Sequence, residues 1–380
     1  MAASPVATGP SGGRPRGVGL GGGAGGFRPP EFRAGALTVR VAIFGYYGFG
    51  NLGDEAVLQA MVEHLREALP GAELWVLSGD PAQTERTHRV RSVPRTDLRA
   101  VRRLFRSSDL VCSGGGSLFQ DATSWRSPLF YGLLHELARG TPVLVYAQGI
   151  GPLHRRTSRA VTRRAMEGAA AITVRDQDSA DRLRELGVER AVEVVCDPAL
   201  ALSASASHLP DRTLVVCVRR WPGVPWPHLL EALRRAAREA GLQPRVVCLH
   251  RAADRSVSED VAAQLGCDLV VPSSPGEALE AVAGARVVVG MRLHALVLAA
   301  AARVPFVGLA YDPKVSSFAA SMGMPCLAAN SVDPSELARH VVALAADPGA
   351  PGRLQEKVDS LRPLARRPAQ LAAGLVGVAC

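Results

Sequence analysis

The sequence predicts an α/β protein made of two Rossmann-like domains that face a cleft. Three observations carry this. Short apolar runs alternate with amphipathic stretches of helical period, as in a parallel sheet covered on both faces. The alternation occurs twice, on either side of a small, polar, proline-containing segment at 201–212. Glycine-rich or charged turns recur where an apolar run gives way to a helix, the place where open α/β sheets bind ligands.

Residues 1–36 are rich in Gly, Pro and Arg, lack a hydrophobic period and read as a disordered tail. The first domain spans 37–200. Its expected strands are 37–45, 74–78, 109–113, 142–147, 171–174 and 192–195. Its helices are 54–69, 97–105, 128–139, 158–168 and 179–186, the first with Ala56, Val57, Ala60, Met61 and Leu65 on one face. The second domain spans 212–345, with strands at 213–218, 245–249, 268–271, 286–290 and 305–309. Its helices are 226–240, 257–265, 276–284, 293–303 and 314–322. Residues 334–375 are helical and long enough to return toward the first domain, and 346–380 are set apart as a C-terminal helical segment.

Composition narrows the function. With 380 residues, 47% hydrophobic and 21% charged, the chain is no mostly disordered protein and has the length of two or three domains. The best candidate membrane span, 281–304, is interrupted by Arg286, Arg292 and His294, and the N-terminus lacks the apolar core of a secretory signal. Seven cysteines, with no CxxC pair, point to a reducing cytoplasm and away from a zinc site. The net charge is +9, yet the basic residues are widely spread, with small clusters at Arg102-Arg103, Arg155-Arg156 and Arg163-Arg164. No aromatic residues are interleaved to stack on bases, which argues against nucleic acid. Of 44 basic residues only Lys314 and Lys357 are lysines. Lys357 reads as part of a solvated helix face, whereas Lys314 follows Tyr311-Asp312-Pro313 at a strand end, where a compact point charge differs in use from an arginine fork.

Five turns are candidates for chemistry. Gly45-Tyr46-Tyr47-Gly48-Phe49-Gly50-Asn51-Leu52-Gly53-Asp54-Glu55 joins a strand to a helix N-terminus, and its glycines Gly48, Gly50 and Gly53 allow a phosphate to approach. It is neither a clean GxGxxG nor a P-loop, and it reads equally well as a helix cap with Asn51 or Asp54 at the N-cap. Ser113-Gly114-Gly115-Gly116-Ser117 spends three glycines where a turn needs one, which suggests close approach of a ligand or of the other domain. Ala147-Gln148-Gly149-Ile150-Gly151-Pro152 and Val174-Arg175-Asp176 are also strand ends, and Arg126 lies within reach of the same cleft. In Gly290-Met291-Arg292-Leu293-His294, two cationic residues meet a helix N-terminus. Because sequential strands are usually neighbours, Arg292, His294 and Lys314 are placed to converge on one anion.

Together these motifs, with Gly116-Ser117-Leu118-Phe119-Gln120-Asp121 and Met291-Arg292-Leu293-His294 in the same order, resemble the polysaccharide pyruvyl transferase family, and in particular its CsaB-like cell-surface anchoring branch. The resemblance covers about 39–345 and leaves out the tail. It implies a fold similar to the two-domain GT-B glycosyltransferases. It also implies transfer of pyruvate from phosphoenolpyruvate to a sugar as a cyclic ketal, with release of phosphate. In that branch the acceptor is a lipid-linked precursor of a secondary cell-wall polymer, often a β-linked N-acetylmannosamine, and the product anchors S-layer proteins. The enzyme would be cytoplasmic, or peripheral at the inner membrane face. The family's donor-site histidine and lysine fall on His294 and Lys314. An arginine of the first domain joins them, and both Arg126 and Arg175 qualify.

The residues suit this chemistry. A donor with close to three negative charges needs several cations in a partly desolvated cleft. Protonation of the donor methylene, hydroxyl attack and departure of phosphate need an acid, a base and charge stabilisation. His294 suits the acid or a phosphate contact, and Lys314 a phosphate or carboxylate contact or a proton donor. Asp254, in His250-Arg251-Ala252-Ala253-Asp254, is a candidate for the hydroxyl base, or else a loop-surface carboxylate. No metal or redox cofactor is needed. Two other classes fit the same architecture: a nucleotide-sugar glycosyltransferase and a non-catalytic polysaccharide-binding relative.

Overall fold

The computed structural model describes residues 38–122, 124–204 and 212–378. The expected tail at 1–36, most of the segment at 201–212, and Thr123 lie outside them. The first domain runs β1 (Arg40–Phe44), α1 (Leu52–Ala68), β2 (Glu73–Ser78), α2 (Pro81–His88), β3 (Arg91–Pro94), α3 (Leu98–Arg106), β4 (Leu110–Ser113), β5 (Gly116–Phe119), α4 (Arg126–Leu137), β6 (Val143–Ile150), α5 (Arg156–Glu167), β7 (Ala171–Val174), α6 (Gln177–Glu185) and β8 (Val192–Val194), ending in a 3-10 turn at Pro198–Ala201. The second runs β9 (Thr213–Cys217), α7 (Trp226–Ala240), β10 (Gln243–Val247), α8 (Arg251–Leu265), β11 (Leu269–Val270), α9 (Pro275–Val282), β12 (Val287–Gly290), α10 (Leu293–Ala301), β13 (Phe306–Ala310), α11 (Pro313–Ser321) and β14 (Cys326–Ala328). Helices α12 (Pro334–Ala346) and α13 (Ala350–Leu375) follow.

Every strand pair is parallel. The first sheet has the order β3-β2-β1-β4-β6-β7-β8 with β5 beside β6, and the second β11-β10-β9-β12-β13-β14. In each, the order reverses direction beside the first strand, between β1 and β4 and between β9 and β12. These are the switch points outside which doubly wound sheets bind ligands. Strand residues alternate between faces. Val41 and Ile43 join a core with α1, α10 and α13, whereas Ala42 and Phe44 join one with α3, α4, α5 and α6.

The first of these cores runs on into the second domain, from Ala56 and Ala60 of α1 to Ala299 and Ala300 of α10. Helix α13 returns to the first domain along this seam. It buries Leu354, Val358, Ala369 and Ala373, and its arginines reach Glu67 (Arg366, 3.2 Å) and Glu193 (Arg367, 2.7 Å).

Five elements differ from the sequence expectation. Helix α2 is almost wholly polar, so it shows no apolar stripe; Asp80, which caps the Gln83 amide at 3.0 Å, and Pro81 are what begin it. The short β3 and β14 lie at sheet edges, where hydrophobic runs are short. Helix α8 starts at Arg251, a turn and a half before its first buried apolar residue, Val257, and so carries Asp254 on a helix rather than a loop. Gly116–Phe119 forms β5, so the triple glycine is not wholly a loop.

Candidate active site

The carboxyl ends of the two sheets enclose a cleft of about 410 Å³. The first domain lines it with Tyr46, Asn51, Gly53, Asp54, Ser117, Arg175 and Arg182, and the second with Arg219, Trp221, His250, Arg292, His294, Tyr311 and Lys314. Backbone contacts fix this meeting. The Leu52 amide donates to the Leu249 carbonyl at 2.9 Å, and Asn51 pairs with His250 as an antiparallel bridge.

The N-terminus of α1 is a cap. Asn51 accepts from the Gly53 amide at 3.3 Å, the Leu52 amide is taken by Leu249, and the Gly48 amide donates to Glu55 Oε1 at 2.8 Å. These amides are therefore engaged and offer no phosphate cradle. Gly48 and Gly50, both in the left-handed region (φ 77° and 67°), line a separate crevice of about 80 Å³. Gly53 belongs to the site for a different reason: a Cβ there would collide with the His294 ring, so glycine lets His294 of α10 pack directly on α1.

The triple glycine is likewise a packing device. A Cβ on Gly114 would meet Tyr47, and one on Gly115 would lie 2.5 Å from Val57. One on Gly116 would lie 2.7 Å from Asp54 Oδ1. Gln148 is fully buried, and its amide donates to Ser113 Oγ (2.8 Å) and the Gly114 carbonyl (3.0 Å). Gly114, Gly115, Gly116 and Gln148 thus shape the floor and do not line the cleft.

Of the two first-domain arginines, Arg175 is in the cleft and Arg126 is not. Arg126 is exposed at the start of α4 beside the Trp125 ring. Arg175 is only 6% exposed; it donates to Ser117 Oγ at 3.0 Å and lies 3.4 Å from Asp176 and 3.7 Å from Asp197. His294 Nε2 faces the same Asp197 oxygen at 3.5 Å. Burial alone would raise the Asp197 carboxyl, but His294, Arg175 and the Ala199 amide outweigh it and hold it below its ordinary value. A carboxylate shared in this way orients both cations.

Arg292 stands at the N-cap position of α10 and is held bidentately by Asp254, at 2.6 Å through Nε and 2.7 Å through Nη2. This changes the expectation for Asp254. It is 1% exposed with both oxygens occupied, neither a surface carboxylate nor an open base. His250 Nδ1 accepts from Arg292 at 3.4 Å; burial and Arg292 push its imidazole down to about 4, so it is neutral. Lys314 lies in the first turn of α11 and pairs with Asp312 at 3.2 Å. Arg219, at the end of β9, donates to Tyr311 Oη at 2.9 Å and lies against Trp221.

Asp54 is the unusual carboxyl. Burial, followed by the neighbouring Glu55 charge, raises it to about 6 against the opposing pull of His294, Arg175 and Arg292. Among the described residues only Asn51 Nδ2 bonds it directly. The sequence marked Asp54 as a cap or a ligand contact; Asp197, Arg219, Trp221 and Tyr311 were missed. Asp197 had a signal of its own, an Asp-Pro pair directly after a strand. Among the described residues no cluster of His, Cys, Asp and Glu could hold a metal ion, and no helix is long and apolar enough to cross a membrane.

Solved structures share the whole architecture at low identity. MnaA of S. aureus, solved with UDP, aligns with TM-score 0.64 and 12% identity over 90% of this chain and 98% of that one. Anabaena Alr3699/HepE, in complex with UDP, gives 0.60 and 12% over 89% and 99%. A UDP-N-acetylglucosamine 2-epimerase gives 0.63 and 11% over 90% and 98%. These likenesses establish the fold, the two Rossmann-like domains of GT-B proteins. A search of curated protein sequences gave no match. The model of the polysaccharide pyruvyl transferase family matches residues 51–313, from the Asn51 cap through Arg175, Asp254, Arg292 and His294 to the start of α11. By that match, over more than half its length, the chain belongs to the polysaccharide pyruvyl transferase family.

Proposed function

We propose that the chain moves pyruvate from phosphoenolpyruvate to a sugar of a lipid-linked cell-wall polysaccharide precursor, closing a cyclic ketal, in the manner of the CsaB-like S-layer anchoring branch and at the cytoplasmic face of the membrane. The observation that carries this reading is the meeting of Arg175, Arg219, Arg292, His294 and Lys314, drawn from both domains, in one cleft. A small donor carrying a carboxylate and a phosphate matches that charge.

In this scheme Arg292, fixed by Asp254, and Lys314 hold the phosphate and carboxylate. His294, oriented by Asp197 from behind, delivers a proton to the methylene carbon, which becomes the methyl group. The sugar hydroxyl oxygen bonds to the adjacent carbon, the C–O bond to phosphate breaks, and a second hydroxyl oxygen takes its place. Asp54 accepts one hydroxyl proton, in place of the one His294 gave up, and the departing phosphate carries away the other. Its raised carboxyl is matched to proton exchange near neutrality, the role that sequence reasoning had offered to Asp254. Ser117, Ser127 and Asp178 on the first-domain wall suit sugar hydroxyls as donors and acceptors. Phosphoenolpyruvate is a co-substrate, and the scheme calls on no metal or redox cofactor.

Thermal melting with phosphoenolpyruvate, against UDP, GDP and NAD, tests the donor without knowledge of the acceptor. A ligand at about 100 times its Kd adds about 2.7 kcal/mol. Phosphoenolpyruvate alone should stabilise the chain, and Lys314→Ala should remove the shift. Stabilisation by UDP instead would favour a nucleotide-sugar glycosyltransferase, a second reading suggested by the neighbours solved with UDP.

A further inference from the structure

Helices α3, α4 and α5 lie side by side on the face of the first sheet opposite α1 and α13. The three carry nine arginines and two glutamates. Glu136 pairs with Arg164 and with the flanking Arg139. Glu167 accepts from the Glu189 amide at 2.7 Å. Among the described residues Arg99, Arg102, Arg103, Arg106, Arg156, Arg159 and Arg163 are exposed and enter no ion pair. The clusters that looked scattered in sequence are therefore gathered on one surface.

That surface also exposes large apolar side chains. Leu98, Trp125 and Leu133 are 40%, 46% and 41% exposed, and Trp125 is flanked by the guanidinium groups of Arg126 and Arg155 at 5.6 and 5.9 Å. Ser124 and Ser127, on either side of this tryptophan, line the cleft, so the patch borders the cleft mouth.

We infer that the α3–α4–α5 layer is a docking face for an anionic lipid surface, with Leu98, Trp125 and Leu133 in the interface and the arginines against the headgroups. Leucine offers nothing for a base to stack on, and the one exposed tryptophan already has arginine neighbours, which disfavours nucleic acid. Trp at the headgroup level and Arg above it are the side chains that suit a lipid boundary. The inference rests on the pyruvyl-transfer reading only for its purpose, which is to bring the cleft mouth to a lipid-linked acceptor.

The test is co-sedimentation of the full chain with phosphatidylcholine vesicles, with and without one third phosphatidylglycerol, in the absence of donor and acceptor. A failure here therefore leaves the pyruvyl-transfer reading standing. Binding should need the anionic lipid and weaken with salt. A basic residue near such a surface is worth roughly fivefold in affinity, so R102Q/R103Q/R156Q/R163Q should lose on the order of several hundred-fold. Its melting temperature should stay unchanged, because all four side chains are exposed. Independently, vesicles should shift the tryptophan fluorescence to the blue in the parent chain and much less in Trp125→Phe. No vesicle binding, binding untouched by the four-site variant, or tighter binding to a short single-stranded DNA than to vesicles would each overturn the inference.

Discussion

Asp54→Asn should make the protein more stable and less active. A tenfold change in proton affinity is worth about 1.4 kcal/mol. Raising the carboxyl from 3.8 to about 6 therefore means that ionised Asp54 destabilises the folded chain by about 3 kcal/mol. The charges facing it are His294, Arg175 and Arg292, which favour ionisation, and Glu55, which opposes it. Below about pH 4 the group is protonated in both folded and unfolded chains and contributes nothing. Between pH 4 and 6 the folded chain keeps the proton and the unfolded chain releases it, so stability falls as pH rises. Above pH 6 the full penalty is present. Asparagine removes it while keeping an oxygen for Asn51 Nδ2 to bond.

Urea unfolding at pH 4.5, 6 and 8 reads this directly. The variant's advantage should be small at pH 4.5 and approach about 3 kcal/mol at pH 8. Pyruvyl transfer should fall by about 10²–10⁴. An advantage that does not grow with pH would refute the electrostatic argument. Full activity with the stability gain intact would refute the catalytic one.

Four further outcomes follow from the geometry. Asp254→Ala should cost about 3–5 kcal/mol, because it leaves the part-buried Arg292 without its partner, with Asp254→Asn falling between; a free catalytic base would instead lose turnover at unchanged stability in urea unfolding. Gly53→Ala should cost about 1–3 kcal/mol and raise KM for the donor by pushing the His294 ring aside. Gly50→Ala, with open space but a φ of 67°, should cost about 1–2 kcal/mol and leave KM unchanged. Arg175→Gln should abolish the melting shift given by phosphoenolpyruvate and Arg126→Gln should not, since only Arg175 lines the cleft.

The double alternation of strand and helix was legible because strands buried on both faces read as unbroken apolar runs, as in Val287–Gly290. The cationic turns were legible because Arg292 and His294 stand at a strand end among apolar residues, where a charge has no structural excuse. What sequence could not supply was the partner of each charge. Asp254 and Arg292 are 38 positions apart and meet only because α8 and α10 follow β10 and β12, the two strands that flank β9 in one sheet. The glycines misled for a related reason. A missing side chain shows that something comes close, but not whether that is a ligand or, as at Gly115, a valine of the next helix. The distribution of arginines was illegible altogether, because α3, α4 and α5 become one surface only after the sheet orders them.

The contacts across the cleft are unequal, and this bears on how the two substrates enter. On the α1 side the domains are joined by backbone: the Leu52 amide to Leu249, the Asn51–His250 bridge, and His294 packed on Gly53. Arg292 and His294 lie near this seam, so their placement is set before any ligand arrives, and such preorganisation strengthens binding. On the opposite side the hydrogen bond from Ser317 to Asp178 at 2.8 Å joins two exposed side chains. A bond of that kind is worth about 1 kcal/mol or less. The cleft therefore yields most easily at Asp178, where α6 adjoins the groove lined by Arg159 of α5. A bulky acceptor approaching from the arginine-covered layer would meet the site at its weakest edge, while Arg292 and His294 stay fixed.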